Sequence, residues 1–359
     1  MEISVVPLAE GQMKQKTTDA SQLGFGKLFT DRMFLAEWTV GKGWHSARIK
    51  PYEPFMLDPA TAVLHYSQEI FEGLKAYKWD DGRIALFRPE MNARRFNRSA
   101  ERICMPEVPE ELFLKGVEQL VALEKDWIPT APGTSLYIRP AMIAVDPYLG
   151  VKPADSYYFF VILSPVGAYY AAGFNPVNIL VEDHYVRAVA GGTGEAKTGG
   201  NYASSLKAGL VAKEKGYDQV LWLDGRERRY IEEVGAMNMF FAYGNHIVTA
   251  NLTGSILSGV TRDSVLQLAR DLGCTVEERQ IEVNELFADL RAGKVTEAFG
   301  SGTAAVVTPV GKLGYRDEAI TVGNGGVGQL TQKLYDTLTG IQTGKLEDRY
   351  GWVRIVPQG

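Results

Sequence analysis

A single lysine lies inside a glycine-rich stretch near the middle of the chain. Residues Gly191 to Tyr202 read GGTGEAKTGGNY, with Lys197 among five glycines between Gly191 and Gly200. Glycine allows backbone conformations with positive φ and close approach of the backbone to a ligand or another segment. A lysine in such a frame, walled by apolar strands, can lose its proton and act as an amine nucleophile. The stretch therefore predicts a chemical role for Lys197.

Two kinds of chemistry use a lysine framed by glycines. One is phosphate binding by a GxxxxGK[ST] loop, which Gly191 to Thr198 nearly matches, with Val220 to Asp224 as a strand ending in a magnesium-binding aspartate. That match fails because Ala196 replaces the second glycine and because two glycines follow Thr198, where a helix should begin. The other is a Schiff base with an aldehyde, above all that of pyridoxal phosphate. The departures from the loop pattern favour the Schiff base.

Pyridoxal phosphate needs an anion site, a carboxylate at the ring nitrogen and nearby positive charge. Gly259, Val260 and Thr261 stand at the start of a predicted helix, where free backbone N–H groups suit a phosphate. Glu232 and Glu233 end a predicted strand, and alternation along it places one inward and one outward without saying which. Positive charge is offered by a stripe on another predicted helix, formed by Arg95, Arg98 and Arg102.

Apolar periodicity and turn residues predict the elements that carry these groups. Pro89 opens the arginine-bearing helix at its favoured first position. Further strands are predicted at Val63–His65, Leu136–Ile143 and Tyr157–Leu163, and further helices at Ala203–Lys215 and at Thr261–Leu272, with Thr261 as N-cap. Ser164 to Pro176, rich in proline, glycine and small residues, is the best candidate for a connection between domains.

Length and composition indicate a soluble protein with two cores. The chain has 359 residues, 45% of them hydrophobic, and a net charge of −5 with a pI near 5.6, which argues against a nucleic-acid surface. No apolar run is long enough to span a bilayer, and no signal peptide is seen. Cys104 and Cys274 are the only cysteines, so reduced thiols in the cytoplasm are expected. No spacing typical of a metal site occurs, and no metal is predicted.

Nine segments in family order make the chain resemble the branched-chain-amino-acid aminotransferases, the class IV group of pyridoxal-phosphate transaminases. The matching segments are FGKLFTDRM (Phe25 to Met33), LHYSQEIFEGLKAY (Leu64 to Tyr77), FRPEMNARRFNRSAERICMP (Phe87 to Pro106), SLYIRP (Ser135 to Pro140), VILSPVGAYY (Val161 to Tyr170), KTGGNYA (Lys197 to Ala203), EEVGAMN (Glu232 to Asn238), ILSGVTR (Ile256 to Arg262) and FGSGTAA (Phe299 to Ala305). They span nearly the whole chain, and together they are far more specific than the lysine stretch alone.

The resemblance implies an α/β fold, that of fold type IV pyridoxal-phosphate enzymes. It has a small N-terminal domain, here 1–170, an interdomain loop, 171–186, and a large domain with a pseudo-barrel that carries the lysine, 187–359. Members of the family are homodimers in which first-domain residues lie near the partner's site, so at least a dimer is expected.

The resemblance also implies the roles of individual residues. Lys197 is the Schiff-base lysine and proton shuttle, Glu233 rather than Glu232 holds the ring nitrogen, and Tyr202 contacts the phenolic oxygen. The remaining cofactor contacts implied are Arg95 at the phosphate, with Arg187, Leu257, Gly259, Val260, Thr261 and Thr303. The substrate contacts implied are Phe25, Tyr66, Phe71, Tyr137 and Tyr169 as pocket walls, Arg139 for the distal carboxylate of glutamate, and the turn of Gly302, Thr303 and Ala304 for the α-carboxylate.

The reaction implied is reversible transamination between leucine, isoleucine or valine and 2-oxoglutarate, with small molecules as partners. Two departures from the family pattern are present. Some members carry a redox-sensitive CxxC where this chain has Ala305 and Thr308. Members of the family often carry a threonine near the cofactor where this chain has Ala236. The alternatives are another class IV enzyme, either a D-amino acid transaminase or an aminodeoxychorismate lyase, and a phosphate-loop nucleotide-binding protein.

Overall fold

The computed structural model describes residues 1–17, 19–167 and 174–358. The chain divides into two compact units. The first comprises Met1–Tyr169, Ala196–Gly199 and Gly340–Gly359, and the second comprises Tyr170–Glu195 and Gly200–Thr339. Lys197 therefore belongs to the first unit, although the residues on either side of its short segment belong to the second.

The described residues form eighteen strands and nine α-helices, with runs of consecutive strands between the helices. The strands are β1 (Ser4–Val5), β2 (Arg32–Thr39), β3 (Gly43–Pro51), β4 (Glu69–Phe71), β5 (Leu74–Lys78), β6 (Ile84–Phe87), β7 (Ser135–Ala144), β8 (Ser156–Val166), β9 (Val177–Glu182), β10 (Gln219–Leu223), β11 (Ile231–Val234), β12 (Met237–Tyr243), β13 (His246–Ala250), β14 (Thr275–Arg279), β15 (Glu297–Gly302), β16 (Val306–Tyr315), β17 (Glu318–Thr321) and β18 (Val353–Ile355). The helices are α1 (Ala20–Leu23), α2 (Ala62–Tyr66), α3 (Pro89–Arg102), α4 (Glu110–Leu123), α5 (Gly199–Ala203), α6 (Leu206–Glu214), α7 (Val260–Asp271), α8 (Val283–Arg291) and α9 (Gln329–Gln342), with a 3₁₀ turn at Lys125–Trp127.

The first unit is built on a mainly antiparallel sheet. Its strands follow the order β1-β3-β2-β8-β7-β5-β6-β18, and the short β4 also pairs with β7. The register sets Lys75 of β5 opposite Tyr137 of β7, and Tyr137 opposite Ser164 of β8. Directly opposed residues share a face of a sheet, so polar and aromatic side chains gather on one face of these three strands.

Helices α3 and α4 pack on this sheet through aromatic side chains. The ring of Phe96 from α3 lies 5.6 Å from that of Phe113 in α4 and 5.4 Å from that of Phe159 in β8, between ring centroids. All three side chains are fully buried. Replacing one of them by alanine would cost about 3–5 kcal/mol. This packing fixes α3, and with it the polar side chains on another side of the same helix.

The second unit contains a closed barrel of six strands. The ring runs β11-β10-β9-β16-β15-β12 and closes because β12 also pairs with β11. Two of its contacts, β9 with β10 and β9 with β16, are parallel, and the other four are antiparallel. Closure removes the free edges of these strands. The predicted α/β fold with a pseudo-barrel is confirmed.

Three local predictions were wrong. Val63–His65 lies in the helix α2, because an apolar run of three residues carries no usable periodicity. The helix predicted from Ala203 is two helices, α5 and α6, divided where Ser204 and Ser205 donate hydrogen bonds to carbonyls of the preceding turn. The N-cap of α7 is Gly259 rather than Thr261.

The compact units differ from the predicted domains in three places, one of which is the segment Ala196–Gly199, predicted in the large domain and found in the first unit. Strand β9 lies within the stretch predicted as an interdomain loop, and it is a member of the barrel. Residues 340–359 return to the first unit, where β18 pairs with β6. Such long-range pairing is set by tertiary contacts and leaves no local signal in the sequence. No helix within the described ranges is long and apolar enough to cross a membrane.

Candidate active site

The backbone of Lys197 is held on both sides by other elements of the first unit. Its N–H donates to Ser99 Oγ of α3 at 2.9 Å, and its carbonyl accepts from the N–H of Phe71 in β4 at 3.0 Å. The hydroxyl of Thr198 donates to the carbonyl of Glu69, also in β4, at 2.7 Å. The lysine thus stands at a fixed point beside β4, which is what a covalent catalytic residue requires.

Gly199 is required by the close approach of Glu69. The N–H of Gly199 donates to the Glu69 carboxylate, and a Cβ at position 199 would overlap that carboxylate. Burial raises the pKa of Glu69, against the opposing effects of this hydrogen bond and of the Arg139 charge. The glycine at this position therefore leaves room for the Glu69 carboxylate to bind the backbone two residues after the lysine.

A row of predicted substrate residues extends from the lysine amine. Lys197 Nζ lies 4.8 Å from the ring centroid of Phe71, and the Arg139 guanidinium lies 4.6 Å from the same centroid. Arg139 Nη2 donates to the hydroxyl of Tyr137 at 3.1 Å, and the Tyr137 ring meets the edge of Phe25 at 5.0 Å between centroids. Sequence motifs more than a hundred residues apart are thereby brought together around one cation and three aromatic rings.

Arg95 is buried in an ion pair that the sequence did not suggest. Its Nε and Nη2 donate to the two oxygens of Glu72 at 2.7 and 2.9 Å, and Asn92 donates to the same carboxylate at 2.7 Å. Burial would raise the pKa of Glu72. The charge and hydrogen bonds of Arg95, the charge of Lys197 and the bond from Asn92 outweigh it and hold the pKa below its usual range. Glu72 therefore fixes Arg95 and places a carboxylate in the electrostatic environment of the lysine.

Three groups of the second unit hold the carboxylate of Glu233. Arg187 Nη2 lies 2.7 Å from Glu233 Oε2, while the N–H of Leu257 and the amide of Asn238 donate to Oε1 at 2.9 and 3.2 Å. The side chains of Arg187 and Glu233 are 7% and 4% exposed. A cation and two hydrogen-bond donors stabilise a buried carboxylate, so Glu233 is a buried acidic group that its partners hold in one position.

The neighbouring Glu232 has a different environment. Strand alternation was expected to turn one of the two glutamates outward, yet both are buried because both faces of β11 are covered. Glu232 accepts a hydrogen bond from Ser255 Oγ. Burial raises its pKa, and the charges of Glu233 and Asp224 raise it further, while Ser255 and Arg187 act in the opposite direction. The two adjacent glutamates therefore differ in their partners: Glu233 is paired with a guanidinium, and Glu232 is bonded to a serine hydroxyl.

Helix α7 starts beside the Glu233 carboxylate. Its N-cap Gly259 makes no side-chain cap, and Thr261 in its first turn is buried. A Cβ at Gly259 would overlap Asn238, the residue that donates both to Glu233 and to the carbonyl of Leu257. A 12-residue helix that begins without a side-chain acceptor presents backbone N–H groups suited to an anion.

The remaining predicted residues are distributed as follows. Gly302 ends β15, and Thr303 and Ala304 form the turn to β16, all half-buried; Tyr202 lies half-buried in α5. Tyr66 is 40% exposed, and its hydroxyl donates to the carbonyl of Leu149. It makes no ring contact with the row from Phe71 to Phe25 in the described part of the chain. Tyr169 lies outside the described residues.

Several residues of this arrangement were missed in the sequence. Glu72, Glu69 and Ser99 fall inside segments that carry the family resemblance, but nothing in their spacing indicates that they clamp Arg95 or the lysine segment. Asn238 likewise follows the glutamate pair without any local signal of its bridging role. Each of these contacts joins residues on different elements, so only the folded chain reveals them.

The comparisons with known proteins agree with the resemblance. Residues 69–313 match the family model described as amino-transferase class IV. Branched-chain-amino-acid aminotransferase 2 of Bacillus subtilis (strain 168) is 54% identical over 343 residues, which are 96% of this chain and 94% of that protein. The chain belongs to the branched-chain-amino-acid aminotransferases of class IV. The predicted family is confirmed, and the phosphate-loop alternative is not supported by any of these matches.

Solved structures of the same family share this fold. The branched-chain amino acid aminotransferase of Escherichia coli is 29% identical with a TM-score of 0.75, over 90% of this chain and 99% of that one. The T.th. branched-chain amino acid aminotransferase complexed with N-(5'-phosphopyridoxyl)-L-glutamate is 27% identical with a TM-score of 0.71, over 90% and 98% of the two chains. These two aminotransferases thus match almost over their whole lengths.

Proposed function

We propose that this aminotransferase transfers the amino group of leucine, isoleucine or valine reversibly to 2-oxoglutarate, giving branched-chain 2-oxo acids and glutamate. Pyridoxal 5′-phosphate would be held as a Schiff base on Lys197. The observation that carries the proposal is the clamped lysine: its N–H and carbonyl are both bonded to neighbouring elements, and its amine lies over Phe71. The relative complexed with a phosphopyridoxyl–glutamate adduct supports both the cofactor and glutamate as one substrate.

The residues present fit this cofactor in charge and in chemistry. The first unit offers the amine of Lys197 and the cation of Arg95. The second unit offers the buried carboxylate of Glu233, and a helix end at Gly259 that suits a phosphate. In this proposal Val260, Thr261 and Thr303 join Arg95 at the phosphate, Tyr202 contacts the phenolic oxygen, and Leu257 packs on the ring. When bound, pyridoxal phosphate supplies an electron sink for the charge that develops at the substrate Cα.

Lys197 has two tasks in this proposal. Its amine would hold the cofactor aldehyde, and the same amine, once free, would act as the general base for the proton on the substrate Cα and as the group that returns it. A proton transfer of this kind needs a base held within hydrogen-bond reach of the transferred proton. The hydrogen bonds that join the lysine backbone to Ser99 and Phe71 hold the point from which this side chain extends, which supports the proposed role.

Glu233 would support this proton transfer through the ring nitrogen of the cofactor. A carboxylate there would keep that nitrogen protonated, the form in which pyridoxal phosphate serves as an electron sink. Arg187 and the N–H of Leu257 hold Glu233 ionised and oriented. In this interpretation Arg187 acts through Glu233.

One pocket has to accept both leucine and glutamate. The rings of Phe71, Tyr137 and Phe25 offer apolar walls for a branched side chain. Arg139, stacked between Phe71 and Tyr137, would pair with the distal carboxylate of glutamate or 2-oxoglutarate. The turn at Gly302–Ala304 would bind the α-carboxylate through backbone N–H groups.

We also propose a cytoplasmic homodimer. Apolar side chains near Tyr66 are exposed on the single chain, with Leu64 60%, Leu149 60% and Val151 85% accessible. Exposed apolar patches of this kind mark protein–protein contacts. Tyr66, which bonds to the carbonyl of Leu149, belongs to this surface, and a second copy would explain its predicted place in a substrate pocket.

The decisive experiment is borohydride reduction of the purified enzyme followed by peptide mapping. We expect the phosphopyridoxyl group on Lys197, and we expect Lys197→Ala to lose both the visible absorbance of the cofactor and the turnover. Lys75 is the competing candidate, because this lysine belongs to the same unit and is buried, and burial lowers its pKa to about 8. A label on Lys75, or a Lys197→Ala variant that keeps absorbance and turnover, would refute the assignment.

Substrate class is tested separately by comparing leucine with D-alanine as amino donor to 2-oxoglutarate. We expect turnover with leucine, isoleucine and valine and none with D-alanine. The reverse order would identify a D-amino acid transaminase while leaving the lysine assignment intact. Analytical ultracentrifugation of the same preparation tests the dimer.

A further inference from the structure

A cavity of about 390 Å³ lies entirely within the second unit. Its wall includes apolar side chains, among them Val189, Ile231 and Ile256, together with Glu232 and Asn251. This volume falls within the range of sites for small organic molecules. Neither the proposed cofactor contacts nor the proposed substrate contacts are among the residues that line it.

Two hydrogen-bond acceptors of this wall have no partner within the described residues. They are Glu232 Oε2 and Asn251 Oδ1, both shielded from solvent. Glu232 is only 5% exposed, and its other oxygen is already bonded to Ser255. A buried acceptor without a donor is destabilising. When Glu232 is ionised both orphaned atoms are acceptors, so a group that satisfies the two of them must bring hydrogen-bond donors.

The charges around the cavity favour a cation over a neutral donor. The wall carries three carboxylates, Asp224, Glu227 and Glu232, and one guanidinium, Arg226. Asp224 is already satisfied by four backbone N–H groups of the turn that follows it. Glu227 and Arg226 are exposed at the surface. Glu232 is thus the buried carboxyl group with bonding capacity left, and a cationic donor stabilises a buried carboxylate more than a neutral donor does.

We propose that this cavity binds a small protonated amine that carries at least two N–H donors. One N–H would donate to Glu232 Oε2 and another to Asn251 Oδ1, while carbon substituents of the amine pack against Val189, Ile231 and Ile256. The ammonium group belongs equally to free alkylamines and to amino acids, and it is this shared group that the two acceptors recognise. The site does not depend on the proposed transamination.

Binding of a cation at Glu232 would be coupled to a proton. Burial, and secondarily the charges of Glu233 and Asp224, raise the pKa of this carboxyl group, against the hydrogen bond from Ser255 and the charge of Arg187. An ammonium stabilises the ionised form. The amine should therefore release a proton when it binds, and its affinity should rise as the pH rises through the pKa of Glu232.

Isothermal titration calorimetry of the borohydride-treated enzyme tests the site. Treatment removes any reactive aldehyde, so amines cannot bind by reacting with a cofactor, and it leaves the test valid if no cofactor is present. The probes are pyrrolidinium, which has two N–H donors, and tetramethylammonium, which has the same charge and number of carbon atoms but no donor. We expect pyrrolidinium to bind roughly tenfold or more tightly than tetramethylammonium, with proton release seen as a dependence of the heat on buffer ionisation enthalpy.

Two variants and one control complete the test. Glu232→Gln should weaken pyrrolidinium roughly tenfold to a hundredfold and abolish proton release, as expected for loss of a charge-assisted hydrogen bond. Asn251→Asp should strengthen binding, and so remains informative if Glu232→Gln folds poorly. Glu227→Gln removes the same charge from the exposed rim and should change affinity little. Equal affinity for the two probes, no binding at millimolar concentration, or unchanged binding in Glu232→Gln would overturn the proposal.

Proline extends the comparison because it is pyrrolidine with a carboxylate. Tighter binding of proline than of pyrrolidinium would identify amino acids as the natural class, and weaker binding would identify free amines. Either order keeps the ammonium site, provided that Glu232→Gln weakens the tighter ligand.

Discussion

Replacing Glu72 by glutamine should destabilise the first unit severely. The substitution keeps the size of the side chain but removes its charge. Arg95, whose side chain is 5% exposed, would then keep its guanidinium in the interior without the carboxylate that receives two of its N–H groups. Asn92, which donates to the same carboxylate, would lose a charged acceptor as well.

The magnitude follows from the burial of both partners. Removing one member of a buried ion pair costs about 3–5 kcal/mol, because the other charge is left uncompensated in a medium of low dielectric constant. That range corresponds to roughly a hundred- to a few-thousand-fold change in the unfolding equilibrium. Replacing both partners with apolar residues, as in Glu72→Met with Arg95→Met, should cost much less than the single change, since no charge is then stranded.

The assay is urea unfolding followed by tryptophan fluorescence. Five of the six tryptophans, at positions 38, 44, 79, 127 and 352, belong to the first unit, so the signal reports mainly on that unit. The matched control is Lys115 with Glu111, an ion pair of the same unit with 2.6 Å between Nζ and Oε1, on the surface. Glu111→Gln should leave the midpoint nearly unchanged, because exposed pairs are screened by solvent.

The pH dependence provides a second readout of the same pair. The pKa of Glu72 is lower in the folded than in the unfolded chain, so its contribution to stability is complete above the unfolded pKa and is lost as the pH falls toward the folded value. Glu72→Gln should remove this part of the acid sensitivity. Equal midpoint shifts for Glu72→Gln and Glu111→Gln, with unchanged acid sensitivity, would refute the reasoning that burial makes the Glu72–Arg95 pair important for stability.

Three further outcomes are expected from the proposed site. Gly199→Ala should lower kcat strongly, because the new methyl group overlaps the Glu69 carboxylate and displaces the lysine segment. The added change Glu69→Ala should restore part of the rate. An unchanged kcat in the single variant would contradict the role of the contact between Gly199 and Glu69. Arg139→Ala should lower kcat/KM for glutamate by about one to two powers of ten, as for a lost charge-assisted bond, and that for leucine far less, whereas equal losses would argue against its role. Glu233→Gln should cut the rate with bound cofactor, and an unaffected rate would move the ring-nitrogen contact to Glu232.

Much of the fold was predictable because hydrophobic patterning is local. Strands such as β7 and β8 and helices such as α3 appear where an apolar run or a proline at the first helical position predicts them. Short apolar runs failed for the same physical reason, since Val63–His65 is too short to distinguish a period of two from one of 3.6. The resemblance supplied the barrel, whose closure depends on pairing between strands far apart in sequence.

The sequence by itself determined that Lys197 is unusual, because its glycine-rich frame and the family motifs can be read without any coordinates. It also determined that one of two adjacent glutamates was worth attention. Only the tertiary structure decided that Glu233 is held by Arg187 and Leu257 while Glu232 faces a cavity with an oxygen unsatisfied, and that Arg95 is locked to Glu72. The physical reason is that burial and partnership of a charge are properties of the space around it, and that space is assembled from segments that are distant along the chain.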